Sequence, residues 1–461
     1  MSHLTRRSVL KLTAAVFPAA TLGCTPDFEP ETIPESVELF PRTPIAGDMT
    51  DSRIVIVFYV ADDSPVTLRL WTAGDVVIDQ RIEPSGDGFH KVMAHGLESE
   101  TAYQYAVFSG KSPRFTSRSL IGNVRTAPAP DRLVPVRIAL MSCVGQGTIL
   151  PDFYFPETTD NPTQAPFQWE LFTHAAKRDV DAFVHLGDQA YLDFVWSLEA
   201  GTTDAYLNAW GFYHGGGYRD VYPLAGVYAT WDDHEATDNS QFDPWNLSDE
   251  DKVKLNNAKT AWYKVLPIDA YTPDERPVWR NFRWGQTLEL ILLDCRYELD
   301  ADHLMSQAQL DWLLACIEDS PCRFICVATP KPFSNITSSQ SLVADNADRW
   351  DGYPDDRARL TETLDALEAR HVIFVSGDIH MNYLGRGSET GEAVSDLSWE
   401  VCCTSGNTNP VAKSLSEDQY DYVAGAPKMP VLTFDPEAGT IHIAFYGVDG
   451  SLSFEKTLTN V

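Results

Sequence analysis

The chain has 461 residues, with 35 Lys and Arg against 66 Asp and Glu for a formal charge of −31, and 44% of it is apolar. A single core stops growing at roughly 250–300 residues, so two domains are expected. The acidic balance excludes docking on duplex nucleic acid or on anionic lipid, which need a basic footprint, and the apolar content excludes a disordered chain.

Residues 1–24 read as a leader. Arg6-Arg7 precede a short, mildly apolar stretch over 12–23, the pattern of a twin-arginine export signal. That stretch is too short and too polar to span a membrane. Cys24 follows Leu22-Gly23 and is a candidate lipidation site. The expected location is therefore periplasmic or cell-surface, with Cys24 a candidate point of lipid attachment. Such a location permits disulfides among the seven later cysteines, and Cys316 and Cys322 are spaced for a small loop.

Residues 25–45 are rich in Pro, Glu and Thr and read as a tether or an extended lead-in. From about 50 to 127 short alternating strands follow one another without helices, as in Arg53-Ile54-Val55-Ile56-Val57-Phe58-Tyr59. That spacing indicates a small antiparallel sandwich. Gly96-Leu97-Glu98-Ser99-Glu100-Thr101-Ala102-Tyr103 resembles a fibronectin type III or immunoglobulin-like signature, with Tyr103 as a corner tyrosine. Ala127-Pro128-Ala129-Pro130 is a natural linker. The expected division is thus a leader at 1–24, the sandwich with its linker at 25–130, and a catalytic domain at 131–461.

Beyond 131, apolar runs of strand length alternate with amphipathic helices predicted over 166–178, 248–265, 305–318 and 355–370, which indicates an α/β domain. Each run ends at a chemically suggestive position. The run over 136–142 meets Cys143, 181–187 meets Asp188, and 227–231 meets Asp232-Asp233-His234-Glu235. The run over 288–293 meets Asp294, 324–327 meets Ala328-Thr329-Pro330, and 372–377 meets Asp378-Ile379-His380. Short continuous apolar runs are buried strands, and open α/β sheets bind ligands at the carboxyl ends of their strands. Together these ends describe one site, read as a cluster of metal ions that performs hydrolysis.

Asp188 can bridge two cations, and Tyr191 reaches the same centre if the turn continues into a helix. A phenolate suits a hard ion such as Fe(III). Asp232, Asp233 and His234 form a dense cluster that would repel itself without a cation. His234 is either a ligand or a general acid. Two-residue spacing puts Asp378 and His380 on one side of an extended segment. Taken singly, these features also read as helix caps, as satisfied histidines or, for Cys143, as a small buried hydrophobe. His185, inside its run, reads as structural.

The series resembles the alkaline phosphatase D family of calcineurin-like metallophosphoesterases. The resemblance rests on Ser142-Cys143, Gly187-Asp188-Gln189-Ala190-Tyr191, Trp231-Asp232-Asp233-His234-Glu235, Leu293-Asp294-Cys295-Arg296 and Gly377-Asp378-Ile379-His380. Trp350-Asp351-Gly352-Tyr353-Pro354 with Arg357 adds to it. It implies a four-layer α/β/β/α sandwich behind the small all-β domain, and a ferric ion with calcium. By the same resemblance Cys143, Asp188, Tyr191 and His380 would hold iron. Asp188, Asp233 and Asp378 would hold calcium, with Asp232 a weaker candidate. His234 would stand near the leaving group and Arg296 would meet the phosphoryl oxygens.

Two departures stand out. Arg296 is followed by Tyr297-Glu298-Leu299-Asp300, without the second arginine the family shows shortly after the first, and Thr329-Pro330-Lys331-Pro332-Phe333-Ser334-Asn335 lacks the family's amide or histidine, leaving Lys331 to supply positive charge or phosphate binding to be looser. The implied reaction is hydrolysis of a phosphate ester by metal-activated hydroxide. Implied substrates are phospholipid, wall-polymer or nucleotide-derived esters, and the single arginine favours diesters. The alternatives are a surface-anchored metal-binding module without catalysis and a metal-dependent hydrolase of another ester.

Overall fold

The computed structural model describes residues 28–73, 75–145, 170–175, 178–197, 201–238, 247–270, 277–334, 336, 349–366, 371–386, 398–406 and 419–459. The expected leader, Cys24 and Asn335 lie outside them. Two large sheets stack face to face. In the first, the parallel strands Val136–Met141, Ala182–Leu186 and Gly226–Thr230 lie side by side. The antiparallel strands Met429–Asp435, Thr440–Tyr446 and Leu452–Leu458 extend it on one flank. In the second, Leu288–Leu292, Phe324–Ala328, His371–Ser376 and Trp399–Cys402 are parallel neighbours. Arg280–Trp284, Asn382–Arg386 and Tyr420–Ala424 complete that sheet.

The apolar runs are continuous because both faces of each strand are covered. Ile138, Leu140, Val184 and Leu186 face Leu290, Leu292, Cys326 and Val375 across the inter-sheet core. The alternate residues Ala139, Met141, Phe183 and Ala229 pack outward beneath helical residues such as Trp210 and Trp262. On the far side Ile291, Ile325, Val327 and Phe374 pack beneath Leu310, Leu313 and Leu360. The order helix, sheet, sheet, helix is the expected four-layer sandwich.

The predicted helices are present with small shifts at their ends. Ser248 caps Asp249–Val265 by accepting the Asp251 N–H, and Ser306 caps Gln307–Asp319 by accepting the Gln309 N–H. The fourth runs Pro354–Asp365, and the first is described over Glu170–Ala175. The helix Thr203–Gly215 was not foreseen. It buries Tyr206, Leu207, Trp210 and Tyr213, so its polar and apolar faces contrast too little to read as amphipathic. All seven described cysteines carry free thiols, including Cys316 and Cys322, whose spacing had suggested a bond.

The amino-terminal strands form the foreseen sandwich. A sheet of Val76–Ile82, Val66–Trp71, Ala102–Lys111, Arg114–Arg118 and Gly122–Arg125 packs on Arg53–Tyr59 and Phe89–His95. The Tyr103 hydroxyl accepts the Glu98 N–H at 2.9 Å, so it is a corner tyrosine as read. Ile45–Gly47 pairs in parallel with Gly226–Thr230, joining the sandwich to the first large sheet as one nine-stranded surface. A buried ion pair sits at that junction: Arg280 holds Asp48 through Nε and Nη2 and donates to the Ala229 and Val278 carbonyls.

Candidate metal centre

The parallel strands of both sheets end at one edge, where the two sheets touch. A Cβ on Gly377 would lie 2.0 Å from Ser142 Oγ, so only glycine lets these strand ends meet. Gly187, at φ +99°, lies as tightly against Asp232, whose Cβ would be 2.5 Å from an added one. The Ser405 N–H donates to the Ser142 carbonyl at 2.7 Å, and the Gly406 N–H to that of Cys143 at 3.0 Å.

Beyond these contacts the chain turns through left-handed conformations. Cys143, Asp188, Asp378 and His380 have φ of 50°, 54°, 67° and 56°. Non-glycine residues avoid this region, and clusters of such strain mark functional sites. Asp378 and His380 therefore leave their strand through left-handed turns and not by the extended alternation read from their spacing. They also serve different groups. Ligand atoms of Cys143, Asp188 and His380 lie within 4.8 Å of one another, as do those of Asp188, Asp233 and His234, and those of Asp232, Asp233 and Asp378.

Tyr191 joins the first of these groups. Its hydroxyl lies 3.3 Å from Asp188 Oδ2 and 3.0 Å from His380 Nε2. Its backbone is clamped by the Tyr213 hydroxyl, which accepts the Tyr191 N–H at 2.9 Å. The His234 ring stacks on the Tyr191 ring, with centroids 4.0 Å apart.

Burial and mutual repulsion set the electrostatics. Burial, with Asp233, Asp232 and Glu235 around it, pushes Asp188 well above the carboxylate range. Burial and the Asp188 charge push the Cys143 thiol and the Tyr191 phenol up as well. Burial holds His380 down, to about 3, so it is neutral as a ligand must be. Burial opposes charge on His234, but Asp233, Asp188 and Asp193 outweigh it and raise its pKa. Asp232 Oδ2 and Asp233 Oδ2 are buried with no hydrogen-bond partner among the described residues. Crowded carboxylates with unused oxygens, a thiol, a phenol and a neutral imidazole are a donor set that a cation satisfies.

Arg296, 1% exposed, lies among the acids. It bonds Asp232 through Nε and Asp378 through Nη2 at 3.1 Å, and its Nη2 lies 3.4 Å from Asp233 Oδ1. Asp294 does not point to a metal or a phosphate. Its Oδ1 accepts the Arg296 and Tyr297 N–H groups at 3.0 and 2.8 Å and Trp231 Nε1 at 3.0 Å, which fixes the turn that presents Arg296. His185, as read, is structural: it is buried, with Nε2 2.8 Å from the Tyr218 hydroxyl.

Two residues that shape the candidate site were missed. Asp193 holds His234 Nδ1 at 2.9 and 3.0 Å through its two oxygens. Glu235 accepts the Gln189, Asp232 and Asp188 N–H groups at 2.7, 2.9 and 3.2 Å, tying two strand ends together. Asp193 has a sequence signal, since it lies two residues past Tyr191, where it opens the short helix Asp193–Trp196. Glu235 was passed over as one more acid in a cluster.

The four-layer sandwich and its strand-end cluster define a protein of the metallophosphoesterase fold with a candidate metal centre. The family model for PhoD-like phosphatases matches residues 162–445, well over half of the chain, and the chain belongs to that family. Alkaline phosphatase D of Bacillus subtilis (strain 168) is 24% identical over 333 residues, covering 63% of this chain and 53% of that protein. The chain thus spans about half the length of that relative. Among solved structures, that of PhoD superposes with a TM-score of 0.73 at 18% identity, covering 91% of this chain and 89% of that one. The purple acid phosphatase PPD1 from yellow lupin (Lupinus luteus) seeds superposes at 0.62 with 11% identity, covering 91% and 75%.

Proposed function

We propose that the protein is an exported, metal-dependent phosphoesterase. The observation that carries this is the convergence of Cys143, Asp188, Tyr191 and His380 on one point with Asp233 and Asp378 beside it. The first four would hold a ferric ion, and Asp188, Asp233 and Asp378 would hold calcium. Asp232, bonded to Arg296, is better placed to orient that guanidinium than to bind metal. When bound, the ions supply an acidified water and neutralise phosphoryl charge.

The chain's own residues do the rest. Arg296, held in its turn by Asp294, offers a planar fork to phosphoryl oxygens. His234 carries a proton on Nε2 for the leaving oxygen, and Asp193 fixes the ring through Nδ1. The buried floor made by Glu235 and Gly187 keeps these groups in place. The single arginine supports a preference for diesters. Export by the twin-arginine route, and anchoring through Cys24 beside phospholipid or wall-polymer substrates, complete the proposal.

Hydrolysis of bis(p-nitrophenyl) phosphate by metal-loaded protein, before and after calcium chelation, tests it. The expected result is turnover that chelation abolishes and calcium restores. Turnover unaffected by loss of metal would defeat the proposal. No turnover on either a diester or a monoester, with metals verified in place, would favour a binding module.

A further inference from the structure

A small cavity lies where the lead-in to the sandwich meets the end of helix Thr203–Gly215. It measures about 10 Å³, room for the centre of one water-sized atom. Arg42, Thr43 and His214 give it a polar wall, and Tyr59 and Phe89 line it from the sandwich. The rest of the lining is apolar.

The helix and the lead-in fix these polar groups side by side. Leu207, Gly211 and His214 share one face of the helix. The Arg42 guanidinium lies along that face: Nη1 donates to the Leu207 carbonyl at 2.8 Å, and a Cβ on Gly211 would lie 3.2 Å from Nη2. The Thr43 N–H donates to the His214 carbonyl at 3.2 Å. Thr43 and His214 are each 2% exposed. Thr43 Oγ1 and His214 Nε2 are nevertheless buried with no hydrogen-bond partner among the described residues. Polar atoms left in that state cost stability unless something fills the space beside them.

Charge is unbalanced there as well. Arg42 is half-buried, with Cζ 4.6 Å from the Tyr59 ring centroid and 4.8 Å from that of Phe89. Two ring faces, a carbonyl and the last turn of a helix offer only partial negative charge. Among the described residues no carboxylate pairs with Arg42. Burial holds its pKa down, to about 10, which leaves it charged at neutral pH. Burial, then the Arg42 charge, hold His214 down to about 3, so that ring is neutral.

We propose that this cavity is a halide site, in which chloride accepts hydrogen bonds from the Arg42 guanidinium, the Thr43 hydroxyl and His214 Nε2 and ties the lead-in to the helix. A single sphere fits room for one atom, whereas sulfate or phosphate, with four oxygens, does not. A water would fill the space but leave the Arg42 charge unbalanced beside apolar walls. Tyr213, next to His214, clamps the Tyr191 backbone, so the ion braces the helix that positions a candidate iron ligand. The site does not depend on the phosphoesterase reading.

Thermal unfolding of the full chain in sodium chloride and in sodium gluconate, at equal ionic strength, tests the site in wild type, Thr43→Val and Arg42→Gln. An ion bound only by the folded chain raises the midpoint with the logarithm of its concentration. Wild type should gain about 1–2 °C for each tenfold rise in chloride above half-saturation. Bromide should substitute for chloride, and gluconate should not. Thr43→Val should raise the half-saturating chloride concentration at least about tenfold, and Arg42→Gln should abolish the response. Crystals grown in chloride or bromide should show one anomalous peak within about 3.5 Å of the Arg42 guanidinium, Thr43 Oγ1 and His214 Nε2. If Arg42→Gln does not fold, Thr43→Val and the anomalous map decide. Equal midpoints in chloride and gluconate, a chloride response unchanged in the variants, or a water with no anomalous peak would each overturn the proposal.

Discussion

Replacing Asp193 with Asn tests the proposed acid while leaving Cys143, Asp188, Tyr191, Asp233, Asp378 and His380 in place. Asp193 meets His234 Nδ1 through both oxygens, at 2.9 and 3.0 Å, with side chains only 16% and 12% exposed. A hydrogen bond to a charged group at this depth is worth about 1.5–3 kcal/mol, which corresponds to about 10–150-fold in rate if the bond acts only in the transition state. Asp193→Asn should therefore slow hydrolysis of an alkyl phosphate ester by about 10–150-fold. His234→Ala should cost about 10²–10⁴-fold on the same ester, the usual worth of a positioned acid. On a nitrophenyl ester, whose leaving group departs without a proton, both variants should stay within about 10-fold of wild type. Steady-state rates on an alkyl and a nitrophenyl ester of the same phosphate, with metal content checked, decide the matter. Equal losses on the two esters would refute the acid role of His234 and leave Asp193 as packing.

Two further predictions concern the frame. Arg280→Met leaves Asp48 buried beside an apolar chain and should cost about 3–5 kcal/mol in urea unfolding, with Asp48→Asn recovering part of it; a loss under about 1 kcal/mol would mean the clamp does not hold the sandwich to the large sheet. Burial holds His185 and His214 down to about 3, from an ordinary 6.5. The unfolded chain therefore takes up their protons first, so their contribution is fully present above pH 6.5 and is lost as pH falls towards 3. His214→Gln should flatten the stability–pH slope by about 1.4 kcal/mol per pH unit within that window, and parallel curves for variant and wild type would contradict it.

Much of this molecule can be read from residue order because its strands are buried on both faces. The runs ending at Cys143, Asp188, Asp233 and Asp378 are local patterns, and parallel packing brings their ends to one edge without further information. The corner tyrosine Tyr103 was legible for the same reason, since its partner Glu98 lies a few residues away. What depended on distant pairing was not legible. The joining of Ile45–Gly47 to Gly226–Thr230 leaves no trace in either segment's periodicity. Acids such as Asp193, Glu235 and Asp294 look alike in sequence, and only the fold separates a ring-holder, a backbone tie and a turn-former. Left-handed backbone at Asp378 and His380 likewise overrode the simple alternation of an extended segment.

The central claim is that strand ends of two sheets build a centre of iron and calcium around Tyr191. Metal analysis of the purified full chain, together with its visible absorption spectrum, tests it most directly. The account predicts tightly held iron and calcium, and a phenolate-to-iron charge-transfer band that Tyr191→Phe removes. A chain that cannot be loaded with iron, or that keeps the band without Tyr191, would contradict it.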